Sequence, residues 1–183
     1  MRLFLAVELN NETIRKIDQI ENEFKVKDLD IRFVEPKNLH ITLKFLGEVD
    51  ESKMNDVVKK ISDDLSGVKQ FRVNVEGFGY FGKPNYIRTL WVDIKEGKEQ
   101  LVMLIKRFNK SLNHIRSDSH KPNPHITIGR IRSGRNKDVL LHETITLRNV
   151  KFGELHVKEI KLKKSTLTPK GPLYEDVKVF KLK

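Results

Sequence analysis

The chain is 183 residues long, 38% hydrophobic, and carries 36 Lys plus Arg against 25 Asp plus Glu, for a formal charge of +11. That length supports one domain with a real core and leaves little for a second. The absence of cysteine excludes disulfides, thiolate metal sites and cysteine nucleophiles, and it fits a cytoplasmic location.

The basic surplus favours a polyanionic partner, nucleic acid first among them. No apolar run approaches the roughly 18–20 residues that a membrane-spanning helix needs. In chain order, the opening Met1-Arg2-Leu3-Phe4-Leu5-Ala6 reads as a strand over 2–9 rather than a signal peptide, since polar residues follow without a cleavage site. Segment 11–25 sets Ile14, Ile17, Ile20 and Phe24 on one helical stripe, with Asn10 or Asn11 as its cap. Strands follow at 31–34 and 39–46. Met54, Val57, Val58, Ile61 and Leu65 predict a helix over 51–65, with Asp50 as N-cap.

Phe71, Val73 and Val75 alternate with Arg72 and Asn74, which predicts a strand over 70–78. Gly79-Tyr80-Phe81-Gly82 reads as an exposed loop before a strand at 86–94. Leu101, Leu104, Ile105, Phe108, Leu112 and Ile115 predict a helix over 97–115. Further strands are expected at 124–131, 154–162 and 174–181, with loops at 82–85, 116–124, 132–138 and 168–172. Short joints make most pairings antiparallel. Each helix has one apolar face and must lie on something flat, so the class is α+β: helices on one face of antiparallel sheets, the other face open.

Two of these strands carry the same string. Leu39-His40-Ile41-Thr42-Leu43 and Pro124-His125-Ile126-Thr127-Ile128 share His-apolar-Thr-apolar, 85 positions apart. Chance predicts roughly 0.03 such strings in this composition, so two weigh heavily. In a strand, residues i and i+2 share a face, about 6.5–7 Å apart. His40, Thr42 and Lys44 therefore point one way, and Leu39, Ile41, Leu43 and Phe45 the other. A single strand histidine beside threonine is usually a structural hydrogen bond; two equivalent elements suggest two half-sites facing one cleft. One neutral imidazole takes a proton from water while the other, protonated, gives one to a leaving oxygen. Each threonine hydroxyl donates to a phosphate oxygen. Metal binding fits worse, because threonine is a poor ligand and no carboxylate cluster adjoins either string.

These residues resemble the two-histidine (2H) phosphoesterase superfamily. Asn38 to Gly47, Pro124 to Arg130 and the tail Ser165-x-Leu167-x-Pro169-x-Gly171-Pro172-x-Tyr174 are similar to its RNA 2′,3′-cyclic phosphodiesterase branch, first named as 2′-5′ RNA ligases. The resemblance spans residues 1–183. It implies a single bilobal domain, with two antiparallel sheets related by a pseudo-twofold axis around a central cleft and helices on the outer faces. It implies metal-independent hydrolysis of cyclic-phosphate RNA ends to 2′-phosphomonoesters, without a cofactor; it leaves open whether those ends belong to tRNA fragments or to another RNA. Some members also join RNA ends through 2′-5′ linkages. In the family's usual scheme His40 is the acid and His125 the base.

Arg130 matches the branch's His-x-Thr-x-x-Arg spacing and is a candidate phosphate ligand, although strict alternation turns it away from His125 unless Gly129 allows a bulge. Lys44 and Tyr80 are candidate RNA contacts, one by its face and the other by stacking. The basic stretches 130–137 and 161–164 are candidates to follow an RNA backbone. The main alternative is a non-catalytic RNA- or nucleotide-binding module on the same fold; end joining and a metallohydrolase are further rivals.

Overall fold

The computed structural model describes residues 1–169 and 171–183. Residue 170, at the centre of the predicted 168–172 loop, lies outside the described residues. The elements run β1 (Arg2–Glu8), α1 (Asn11–Lys25), β2 (Ile31–Phe33), β3 (His40–Glu48), α2 (Met54–Leu65), β4 (Phe71–Lys83), β5 (Tyr86–Ile94), α3 (Lys98–Ser111), β6 (His125–Ile131), α4 (Lys137–Thr146), β7 (Lys151–Val157), β8 (Glu159–Thr168) and β9 (Gly171–Lys181).

The predicted helices form where their stripes demand. Asn10 caps α1, its side chain accepting from the Thr13 amide at 2.9 Å, and Ile17, Ile20 and Phe24 are buried beneath it. Val57, Ile61 and Leu65 do the same for α2, and Leu101, Leu104, Ile105 and Phe108 for α3. Asp50, expected to cap α2, makes no capping hydrogen bond, because a one-turn 3-10 segment, Glu51–Lys53, comes between them. Helix α4 was not visible as a stripe: Leu140 and Thr144 are buried, but Val139 and Ile145 are exposed.

Every pairing is antiparallel, in the order β7-β4-β5-β6-β3-β1-β8-β9, with β2 on the same edge of β6 as β3. Two four-stranded halves meet at β3 and β6, joined by one residue pair, Ile41 with Ile126. Elements β4 to β7 form one half as a continuous stretch, inserted between α2 and β8 of the other. The helices cross over: α1 packs on β7, while α3 packs on β3 and against α2. Both halves share one apolar core on the helical side, and each Leu, Ile or Phe sealed there contributes about 1.5–3 kcal/mol. Among the described residues no helix is long and apolar enough to cross a membrane.

Two strand expectations are corrected. The strand expected at 154–162 is two strands: β7 pairs with β4 at one edge, and β8 pairs with β1 in the other half. Residues Gly79 to Gly82 are not a loop but the continuation of β4, paired with β5. Gly79 has to lack a side chain, since a Cβ there would lie 2.6 Å from the Trp91 ring.

Candidate active site

The joint between the halves positions the two histidines. In an antiparallel pair centred on Ile41 and Ile126, His40 flanks Thr127 and Thr42 flanks His125. Ile41 and Ile126 are fully buried on the helical side, while His40, Thr42, His125 and Thr127 are half-buried on the open side. From Gly129 onward β6 pairs with β2 instead, so among the described residues the two motifs meet at this one joint, on the open side, where the sequence predicts a shared cleft.

Each imidazole is held in the same way. The Nδ1 of His40 lies 2.7 Å from the Asn38 carbonyl oxygen, and the Nδ1 of His125 lies 2.7 Å from that of Asn123. A carbonyl only accepts, so each Nδ1 carries the donated hydrogen and each Nε2 is left for the cleft. Asn38 itself is buried, and its Nδ2 donates to the Pro172 carbonyl at 3.1 Å, tying the turn that precedes β3 to β9.

Aromatic rings wall both imidazoles. Phe4 lies 5.0 Å from His40 and Tyr174 stands edge-on at 5.5 Å; Phe81 stands edge-on to His125 at 4.9 Å, with Trp91 at 6.0 Å. Desolvation by these walls pulls both histidines below the usual 6.5. For His40 the Asn38 carbonyl and Glu8 oppose the fall, whereas Lys163 and the charge of His125 add to it. For His125 the Asn123 carbonyl and Asp93 oppose it and Lys98 adds to it. The acids obey the pseudo-symmetry: Glu8 pairs opposite His40 on β1, and Asp93 opposite His125 on β5. Glu8 is engaged by Lys161 and Lys163, which also bind Asp176; Asp93 is engaged by Lys95 and Lys98.

A matching bulge in each histidine strand changes the expected parity. Between Leu5 and Ala6 the β1–β3 register skips Leu43, and between Leu90 and Trp91 the β5–β6 register skips Ile128. In β6 the bulge keeps Arg130 on the face of His125, exposed and opposite Thr89, as the Gly129 condition required. In β3 it does the reverse for Lys44. Lys44 turns under the sheet to 2% exposure, its Nζ donating to Asn109 Oδ1 at 2.8 Å and the Arg116 carbonyl at 3.0 Å. Phe45, expected inside, is instead 52% exposed on the open face. Lys44 therefore does not lie on the open face, where it was expected to contact RNA. Tyr80 is partly buried and packs against the core, and its neighbour Phe81 takes the place beside His125.

Sequence reasoning missed Asn38 and Asn123, although the repeat extends to them as Asn-x-His-apolar-Thr-apolar. Phe4, Phe81 and Tyr174 are, with Phe45 and Tyr80, aromatics that the sequence offers for base stacking, but nothing in the pattern sets them, or Trp91, beside the imidazoles. His114 and His120 are exposed beside Asp56 and Asp118, and His156 lies opposite Arg72 in the β4–β7 ladder, outside the cleft. Among the described residues no group of three or more His, Asp or Glu is placed to hold a metal ion.

The profile of the family described as LigT-like phosphoesterase matches the chain twice, over residues 7–91 and 92–174, one copy to each motif. An RNA 2′,3′-cyclic phosphodiesterase from Methanothermobacter thermautotrophicus is 37% identical over 183 residues, spanning 100% of this chain and 99% of that protein. Another, from Methanocaldococcus jannaschii, is 38% identical over 179 residues, spanning 97% and 99%. A crystal structure from Thermus thermophilus superposes with a TM-score of 0.83 at 26% identity, covering 100% of this chain and 98% of that one. E. coli LigT complexed with 3′-AMP superposes at 0.79 with 22% identity over 99% and 97%, a likeness of fold.

Proposed function

The chain belongs to the LigT-like phosphoesterase family, and from that membership and the paired imidazoles we propose that it hydrolyses 2′,3′-cyclic phosphate ends of RNA to 2′-phosphomonoesters, residues 1–183 working as one bilobal domain. The observation that carries the reading is the Ile41–Ile126 pair, which seats two identically held histidines on adjacent strands of one cleft.

In this scheme the His125 Nε2 accepts a proton from water as the water oxygen bonds to phosphorus. The bond from phosphorus to the 3′ oxygen breaks, and protonated His40 gives its Nε2 hydrogen to that oxygen. A free 3′ hydroxyl and a 2′-phosphomonoester result. Thr42 and Thr127 donate to the non-bridging oxygens, with Arg130 adding a charged fork. Both rings favour the neutral form in the empty cleft, which suits the base; the arriving phosphate anion favours protonation of one ring, which supplies the acid. No step calls for a metal ion. The same four side chains serve a 5′ hydroxyl in place of water: its oxygen bonds to phosphorus, the bond to the 3′ oxygen breaks, and a 2′-5′ linkage results.

The test is turnover of an RNA oligonucleotide ending in a 2′,3′-cyclic phosphate, with and without EDTA. The expected result is a 2′-phosphate product, insensitivity to EDTA, and a loss of about 10²–10⁴ in His40→Ala and in His125→Ala. A substrate with sulfur at the 3′ position, whose thiolate departs unprotonated, should restore His40→Ala and not His125→Ala. Full activity in either variant, or loss in EDTA, would defeat the proposal.

A further inference from the structure

The three-residue strand β2 presents an arrangement that folding alone does not favour. Ile31 and Phe33 pack against the core, and Phe33 lies 6.5 Å from Phe24. They close on β6 because Gly129 has no side chain; a Cβ there would stand 2.8 Å from Ile31 and 3.3 Å from Phe33. The cross-strand register then sets Arg32 directly opposite Arg130, both exposed. Like charges directly opposed in a sheet destabilise it. Among the described residues neither guanidinium has a carboxylate partner.

The pair also lies on the reacting side of the molecule. Thr89, Arg130 and Arg32 form one row across β5, β6 and β2, next to the row of Trp91 and Thr127. The Arg32 Nη2 reaches toward the β8–β9 hairpin, 3.8 Å from where a Gly171 Cβ would be, and Tyr174 of that hairpin edges His40. From Thr127 to Arg130 is about 7–10 Å along the strand, and β2 lies one strand spacing of about 4.8 Å beyond. That is on the scale of one nucleotide step. Two successive phosphates, the terminal cyclic one and the backbone one before it, would relieve two neighbouring guanidiniums, each fork taking one.

We propose that Arg32 is a second phosphate site, holding the backbone phosphate that precedes the terminal nucleotide while Arg130 faces the reacting one. The site thereby selects a cyclic-phosphate end that belongs to an RNA chain over a free 2′,3′-cyclic mononucleotide, which lacks that phosphate. This inference rests on the phosphodiesterase reading above.

The experiment compares kcat/KM for 2′,3′-cyclic AMP and for a diadenylate ending in a 2′,3′-cyclic phosphate, in wild type, Arg32→Gln and Arg32→Lys. Wild type should prefer the dinucleotide. Arg32→Gln should lose about tenfold or more on the dinucleotide, chiefly in KM, and nothing on the mononucleotide. Arg32→Lys should recover part of the loss, and in Arg32→Gln the salt dependence of log KM for the dinucleotide should flatten by about 0.7. Thermal unfolding of Arg32→Gln should be unchanged or later, since an opposed charge has gone. Equal loss on both substrates together with earlier unfolding would make Arg32 a structural residue; no loss on either would leave it no role, and both results overturn the inference. Wild type inactive on both substrates would overturn the phosphodiesterase reading and this inference with it.

Discussion

Replacing Lys44 by Met separates two roles that the sequence alone does not distinguish. A lysine on the open face would hold RNA, and its loss would weaken binding in a salt-dependent way without touching stability. The structure instead buries it, 2% exposed, with its ammonium bridging strand β3 to Asn109 of α3 and to the Arg116 carbonyl in the segment that leads to His125. Removing the ammonium deletes two charge-assisted hydrogen bonds, each contributing about 1.5–3 kcal/mol, and strands two acceptors. Against this stands the relief of a desolvated charge, which already holds the lysine below its usual 10.5. The balance is a loss of about 2–4 kcal/mol, read as a lower urea midpoint at unchanged slope. Because the bridge ties the His40 strand to the segment that leads to His125, kcat should fall while the salt slope of KM stays as in wild type. Unchanged stability with a flatter salt slope would refute the buried placement.

Two more outcomes follow from buried groups. Glu21, 2% exposed on α1, is pushed up to about 8 by desolvation, against 4.5 in solvent. Its proton is held more tightly folded than unfolded, so the stability this adds is complete below about 4.5 and is lost as pH rises through about 8. Glu21→Gln should match wild type near pH 4 and exceed it by about 2–4 kcal/mol at pH 9 in urea unfolding; equal stability at both values would contradict this. Gly79→Ala would force a methyl to within 2.6 Å of the Trp91 ring, costing about 1–3 kcal/mol. Because Trp91 is the sole tryptophan and walls His125, its emission should shift and turnover should fall together; an unchanged spectrum would count against the packing described.

How much of this was legible beforehand depends on where local periodicity and tertiary pairing agree. The helices α1, α2 and α3 and both motif strands were readable because one apolar stripe or one parity meets one buried face. Helix α4 was hidden because Val139 and Ile145 break its stripe. At β7 and β8 the parity itself changes: Leu155 and Val157 share one and Ile160 and Leu162 the other, and the flip marks the crossing from one half to the other. The faces of Lys44 and Arg130 depended on bulges, which are settled by the partner strand and not by the strand's own residues. Gly79 and Gly82 imitated a loop, although Gly79 serves close packing inside a strand. The Asn38 and Asn123 carbonyls are backbone groups, so only the extended repeat could have pointed to them.

The central claim is that two imidazoles divide one proton-transfer task at a single phosphorus. Its most direct test is the pH dependence of kcat/KM for a cyclic-phosphate substrate in wild type and in each single-histidine variant. With both rings held below 6.5 by desolvation, wild type should give a bell whose maximum lies on the acid side of that value. The residual activity of His125→Ala should lack the rising limb and that of His40→Ala the falling one. A profile level from about pH 5 to 9, or a variant that keeps both limbs, would contradict the account.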